Sequence, residues 1–285
     1  MTVYNVKSLI DAEKDGQTFF SVFRKQPTQS TAANIWFDLS MSPGNPVPNY
    51  YIGTSGVFTP LKRSTDVGVP HGGNVFPKQK FLRTLGLFTT AAGAAPLNLI
   101  LLDYLGFYPF IDESVTDEQF MDNTLTLPRY ADGAGVQMMP VVVAGQTGGG
   151  LFFVTYTNQD GESGRITPDH VMTTQLVNGT IITSNNVLNS AAPFMALQQG
   201  DTGVRSVDSI TFRGTGDIGL ISIALVKPLA RHSIREVNTP VETDFFIDMP
   251  SFPEIKDDAY LNFVCLPAGS LSGAPIHGYI KTVWI

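Results

Sequence analysis

Few residues in this chain have the types and spacing to do chemistry, and each candidate can be held against what its chemistry demands. Gly214-Thr215-Gly216-Asp217-Ile218-Gly219 spells G-x-G-x-x-G. That pattern cradles a pyrophosphate when a strand precedes it and a helix N-terminus follows. Here Val207–Phe212 reads as a strand before it, but Leu220–Val226 reads as another strand after it. The context predicts a glycine-rich hairpin turn. His71, His170, His232 and His277 lie too far apart in sequence for a local metal pair of the H-E-x-x-H kind. Pro70-His71-Gly72-Gly73-Asn74 is spaced like the oxyanion loop of some esterases, yet no G-x-S-x-G elbow accompanies it. The acidic run Asp112-Glu113, Asp117-Glu118, Asp122 lacks the alternating oxygens and glycine turn of a calcium loop. It reads as a solvated short helix, although a two-carboxylate glycosidase pair could still assemble through space. Asp160–Arg165 reads as a charged hairpin tip, and the sequon Asn178-Gly179-Thr180 as a turn. No catalytic, cofactor-binding or metal-binding residue is expected, and the chain is not expected to be an enzyme.

The elements that would position any site read almost entirely as strands. Val3–Asp15 has apolar residues at helical spacing and ends at Gly16. Gln26–Asn34 is polar and reads as an extended arm. Short apolar runs bounded by turn residues then follow: Ile35–Leu39, Phe81–Phe88, Asn98–Leu102, Thr124–Leu127, Gln137–Val143 and Phe152–Thr157. The series continues with Thr180–Thr183, Val207–Phe212, Leu220–Val226, Thr243–Ile247, Tyr260–Leu266 and Ile276–Trp284. Thr116–Asn123 reads as one internal helical turn capped by Thr116 with Gln119 three residues on. With 27 Gly and 19 Pro in 285 residues, a helical bundle is disfavoured. The predicted fold is all-β, a β-sandwich or jelly roll, with residues 1–34 as an N-terminal helix and arm and residues 35–285 as the sandwich domain.

Charge narrows the partners. There are 25 acidic against 18 basic residues, a net charge of −7, and no basic stripe, so nucleic-acid binding is not expected. Met1–Asn5 does not start a secretory leader, and Gly86, Gly93 and Pro96 interrupt the uncharged Thr84–Leu102, so no membrane span is expected. The single Cys265 sits in an apolar run and reads as a small buried hydrophobe. Gly133–Gln159 and Val171–Gly200 carry no charge at all. Uncharged, mildly apolar surface suits contact between subunits, where charge is depleted. The expectation is a homo-oligomer, a trimer being one option.

Several stretches together are similar to a family of virion structural proteins of tailed bacteriophages. They include Ser42-Pro43-Gly44-Asn45-Pro46-Val47-Pro48-Asn49-Tyr50-Tyr51 and His71-Gly72-Gly73-Asn74-Val75. Others are Tyr108-Pro109-Phe110-Ile111-Asp112, Leu127-Pro128-Arg129-Tyr130 and Gly200-Asp201-Thr202-Gly203-Val204-Arg205-Ser206-Val207. The last are Val226-Lys227-Pro228-Leu229-Ala230 and Ala259-Tyr260-Leu261-Asn262-Phe263. The resemblance spans most of residues 35–280 and carries no site residue or cofactor. It implies a head-associated protein located on the virion, either a capsid decoration (cement) protein or a minor head protein. Its partners would be copies of itself and the major capsid protein. The arm would be the tether, so a chain lacking residues 1–34 is expected to fold but not to attach. The alternative is a carbohydrate-binding tail or fibre module, using Tyr50, Tyr51, Tyr104, Tyr108 or Trp284 to stack on sugar rings.

Overall fold

Alternating apolar residues and glycine-bearing turns build an all-β structure of the predicted sandwich class. A computed structural model describes residues 6–172, 174–185, 192–214, 216–249 and 252–285. One helix, α1 (Val6–Lys14), precedes ten strands of four residues or more among the described residues. These are β1 (Thr18–Lys25), β2 (Lys80–Thr89), β3 (Leu97–Asp112), β4 (Gln137–Thr147) and β5 (Leu151–Asn158). They continue with β6 (Val204–Phe212), β7 (Ile218–Ile234), β8 (Val241–Asp244), β9 (Leu261–Pro267) and β10 (Ile276–Trp284).

The strands form three antiparallel sheets. A central sheet has the order β9-β3-β7-β4, with Phe37–Asp38 added beyond β9. A terminal sheet, holding the strands nearest both chain ends, has the order β8-β2-β10-β1 and finishes with Gly44–Asn45. A minor sheet is built on β5 and β6.

The long strands β3 and β7 serve two sandwiches in succession. Leu97, Leu99 and Leu101 of β3 pack with Leu82, Leu85 and Ile280 of the terminal sheet. Further along, Leu105, Tyr108 and Ile111 of the same strand pack with Phe152, Val154 and Ile210 of the minor sheet. On the reverse face, Leu102, Tyr104 and Phe107 lie under Trp36, Met41, Tyr51 and Leu61. The fold is thus two sandwiches placed end to end on one shared sheet.

Most expected strands are present, several of them longer. Asn98–Leu102 and Leu220–Val226 are the middles of 16- and 17-residue strands. Pairing carries on past Pro109 and Pro228 because the ladder shifts register there, with breaks at Ile221/Ile223 and Pro228/Ala230. A bulge accommodates the missing N–H.

Other expectations are corrected. Thr116–Asn123 is not helical: Gln119 and Phe120 pair with Ile210 and Ser209 of β6. The Gln119 side chain bonds back to both the N–H and the carbonyl of Asp112. Thr124–Leu127 is not a strand, because Asp122 Oδ1 accepts from the Thr124 N–H at 2.8 Å and closes a turn. Of Thr180–Thr183, only Thr180 and Ile181 make single bridges, and a 3-10 turn follows over Ile182–Asn185. Ile35–Leu39 shrinks to Phe37–Asp38, since Asp38 caps a 3-10 turn at Leu39–Met41.

The N-terminal region differs most from expectation. Between α1 and the arm, Thr18–Lys25 is a strand that pairs with β10 along its whole length. The arm runs along its own chain: Asn34 N–H donates to Pro267, Thr31 Oγ1 accepts from Leu271 N–H, and Gly273 N–H donates to Pro27. The uncharged stretch Gly133–Gln159 is largely β4 and β5, whose residues are mostly buried within this chain. Burial inside the monomer therefore accounts for part of its lack of charge. Part of Val171–Gly200 lies outside the described residues.

Candidate functional site

The four histidines are not brought together. His71 is fully buried, with Nε2 2.9 Å from the Ala259 carbonyl and Nδ1 3.2 Å from Lys80 Nζ. Burial, reinforced by the Lys80 charge, pushes its pKa down to about 3. In place of an oxyanion loop, it is a neutral post under the turn at Gly72. His170 tilts against Phe152, His232 Nδ1 sits 3.0 Å from Thr243 Oγ1, and His277 stacks on Phe88. Cys265 is a buried free thiol facing the core, as its sequence context predicts. Among the described residues, no group of three His, Cys, Asp or Glu side chains converges as a metal site. No described helix is long and apolar enough to cross a membrane.

The glycine-rich segment 214–219 falls between β6 and the start of β7, with Ile218 and Gly219 already in β7 and Thr215 outside the described residues, and these two strands lie in different sheets. The flanking strands are therefore not partners in the hairpin the sequence suggests. The segment's Asp217 carboxylate is enclosed by Gly148, Gly150 and Gly214, where a Cβ would collide with its oxygens.

The acidic run is not a solvated helix either. Asp112 caps the Ser114 turn, Glu118 accepts from Ser209 Oγ at 2.5 Å, and Glu113 is wholly buried. Glu113 reaches over Gly219, where a Cβ would lie 2.8 Å from Glu113 Oε2. Neither Glu113 oxygen has a hydrogen-bond donor. Desolvation, then Asp217 and Asp112, push its carboxyl up to about 8.

The sign of the pH effect follows from that rise. Between the usual carboxylate range and pH 8, the folded state holds a proton that the unfolded state has lost, so stability falls as pH rises through that window. Glu113→Gln is therefore expected to leave stability unchanged at pH 4. At pH 8 it should raise stability by on the order of 3 kcal/mol. Urea melts at the two pH values check this, and an equal effect at both would contradict it.

Two further ionic groups lie inside the protein, where sequence reasoning found none. Asp38 accepts from Tyr104 Oη at 2.6 Å, from Ser40 N and Oγ, and from Tyr51 Oη. Beside it, Lys25 is buried and donates to the Ser42 and Pro46 carbonyls. Desolvation lowers its pKa to about 8 against the pull of Asp38. Arg129 Nε and Nη2 bond Asp103 bidentately at 2.9 and 2.6 Å, and Arg129 also caps the Leu61 and Tyr104 carbonyls. The available signal is a lone charge inside an apolar strand, as at Leu101-Leu102-Asp103-Tyr104-Leu105. These networks brace the central sheet and its covering loops.

The sugar-stacking reading loses most of its residues. Tyr51, Tyr104 and Tyr108 are buried in the core, and of the five aromatics named above only Tyr50 is well exposed.

What the structure does present, among the described residues, is an uncovered apolar face on the terminal sheet. Register places Phe20 of β1 opposite Lys281, Val22 opposite Tyr279, and Arg24 opposite His277. Phe88 of β2 continues that last row. The Phe20 and Tyr279 rings lie 5.3 Å apart, and Tyr279 Oη donates to Glu242 across Gly86. The lack of a side chain at Gly86 is required, because a Cβ there would overlap the Tyr279 ring. Helix α1 covers only one end of this face, where Leu9 and Ala12 pack on Phe81 and Val283 and Glu13 meets Lys281. Beyond the helix, Phe20 and Val22 remain 59% and 58% exposed. The edge of the sheet is also open. Gly44–Asn45 pairs only with Arg24 and Lys25, so among the described residues no strand pairs with residues 18–23 on that side. Such edges usually carry charge, proline or a bulge, and this stretch has none.

Comparison with known proteins adds little to the geometry. No protein-family profile and no curated protein matches the chain. Among solved structures, the chain aligns with infectious bursal disease virus, Gt strain, at 8% identity, covering 94% of this chain and 81% of that one, with a TM-score of 0.20. The VP2 subviral particle of the same virus aligns at 8% identity, covering 94% and 80%, with a TM-score of 0.16. Its derived T=1 particles align at 10% identity, covering 94% and 78%, also at 0.16. Scores this low carry no argument about fold, partner or function.

Proposed function

We propose that the protein is a structural component of a tailed-bacteriophage virion, a capsid decoration or minor head protein that stabilises the shell through subunit contacts. It would assemble in the bacterial host cytoplasm and act on the particle, with copies of itself and the major capsid protein as partners. The observation that carries this reading is the bare aromatic face and open edge of the terminal sheet. A contiguous apolar patch left uncovered by its own helix marks a protein-contact surface. The sequence resemblance over most of residues 35–280 supplies the kind of partner. A cement protein needs no strong single contact, because several weak ones made at once add avidity. The acidic balance suits a surface that does not attract packaged DNA.

Co-sedimentation with emptied phage heads tests the reading. The protein is expected to pellet with the heads saturably, in a fixed ratio to the shell's repeating unit, and to raise the temperature at which they rupture. Protein that stays in the supernatant at saturating head concentration would remove this function.

A further inference from the structure

The open edge of β1 points to a particular occupant, and we infer that it is the β1 strand of a second copy, paired antiparallel about a two-fold axis. The inference deepens the proposed contact role, on which it rests, by naming the partner at that surface.

Backbone direction sets the register. Gln26 N–H donates to the Pro43 carbonyl on the open side, and Asn45 Nδ2 approaches the Val22 carbonyl there at 3.5 Å. Backbone direction alternates along a strand, so Thr18, Phe20 and Val22 turn their N–H and C=O groups toward the open edge. Those same residues carry the outward side chains. A two-fold through Phe20 thus pairs Phe20 with its own copy and Thr18 with Val22, keeping both apolar faces on one side.

Three features favour a copy of this chain over a foreign strand. The stretch 18–22 is uncharged, so self-pairing opposes no like charges. The charges flanking it are of opposite sign, exposed Asp15 before and exposed Arg24 after, and an antiparallel two-fold brings each toward the other twice. The pairing also ends where it must. The chain turns away at Gly16, with φ of +70°, before it would meet Asn45 of the other copy. The result is one continuous sheet through both subunits, with the two Phe20–Tyr279 pairs side by side.

Sedimentation velocity on the full chain, with Phe20→Glu as the variant, tests the proposal. In the folded monomer the introduced carboxylate would face Lys281, the register partner of Phe20, so thermal stability is expected to stay close to that of the parent. Across the two-fold, two carboxylates would meet in place of two rings. The parent is expected to be a dimer, or an even-numbered assembly, at micromolar concentration. The variant should dissociate at roughly 100-fold higher concentration or more. Hydrogen exchange gives a second readout that needs no variant. Amides of Phe20 and Val22 should become protected as protein concentration rises, while those of Ser21 and Phe23, already paired with β10, should not change.

A parent that sediments as a monomer, or a Phe20→Glu chain that associates equally well, would overturn the pairing. Head binding separates this from the proposed function. A dimer that ignores phage heads would sink the capsid role and leave the pairing standing. A monomer that decorates heads would do the reverse.

Discussion

Replacing Arg129 by Met is expected to destabilise the protein by about 3–5 kcal/mol, a large share of a typical ~5–15 kcal/mol total. The reason is the state in which it leaves Asp103. That carboxylate is fully buried in β3 between β7 and β9, and its oxygens are held by Arg129 and by the Tyr260 N–H. Removing the guanidinium strands a charge in the core and also uncaps the Leu61 and Tyr104 carbonyls. The double change Asp103→Leu, Arg129→Met should recover at least half the loss, since a missing pair is tolerated better than a broken one. The exposed Lys7–Asp11 pair is the control: Lys7→Met should stay within about 0.5 kcal/mol. Urea titration of the four chains decides it, and a loss below about 1 kcal/mol for Arg129→Met would contradict the assignment.

The second large effect concerns where the chain can be shortened. A chain beginning at Gln17 is expected to fold, with a lower melting temperature. It loses the small cluster of Leu9 and Ala12 on Phe81 and Val283, and the contact between Glu13 and Lys281. A chain beginning at Ile35 is expected not to fold. That cut removes β1, and with it Phe23, whose ring stacks at 4.6 Å on Phe263 in the core. It also bares the β10 ladder and deletes Lys25, the buried donor beside Asp38. Circular dichroism and amide dispersion on the two truncations distinguish the outcomes. A folded chain from Ile35 would show that the terminal sheet closes without β1. Because the longer cut runs through a sheet, it cannot test whether the arm tethers the protein to a shell.

What could be read from the sequence divides along physical lines. Strands whose apolar residues alternate against solvent were legible: the alternation in Leu151–Asn158 matches a strictly alternating burial pattern. Strand ends hidden by prolines were not, because a bulge that tolerates Pro109 or Pro228 depends on the neighbouring strand and leaves no local trace. β1 was missed for a different reason. Thr18–Lys25 follows a helix and leads into a polar arm, and its exposed Phe20 and Val22 blur the two-residue period that would have marked it. The helix expected at Thr116–Asn123 failed because local capping signals lost to pairing with β6, a contact some ninety residues distant in sequence. For the interior charges, Asp103 gave a sign in its apolar setting, but nothing nearby identified Arg129 as its mate. Glu113 was concealed among acidic neighbours that do face solvent. The bare face of the terminal sheet needed three strands in register before it existed at all.

The continuity of β3 and β7 through both sandwiches bears on how the molecule takes force. In most two-part proteins the halves meet at a seam and can hinge, slip or melt separately. Here no seam exists, because the joint is covalent backbone bonded as a ladder from Leu97 to Asp112. A pull on one half should travel along the shared main chain into the other, so the molecule is expected to yield in one step when stretched end to end.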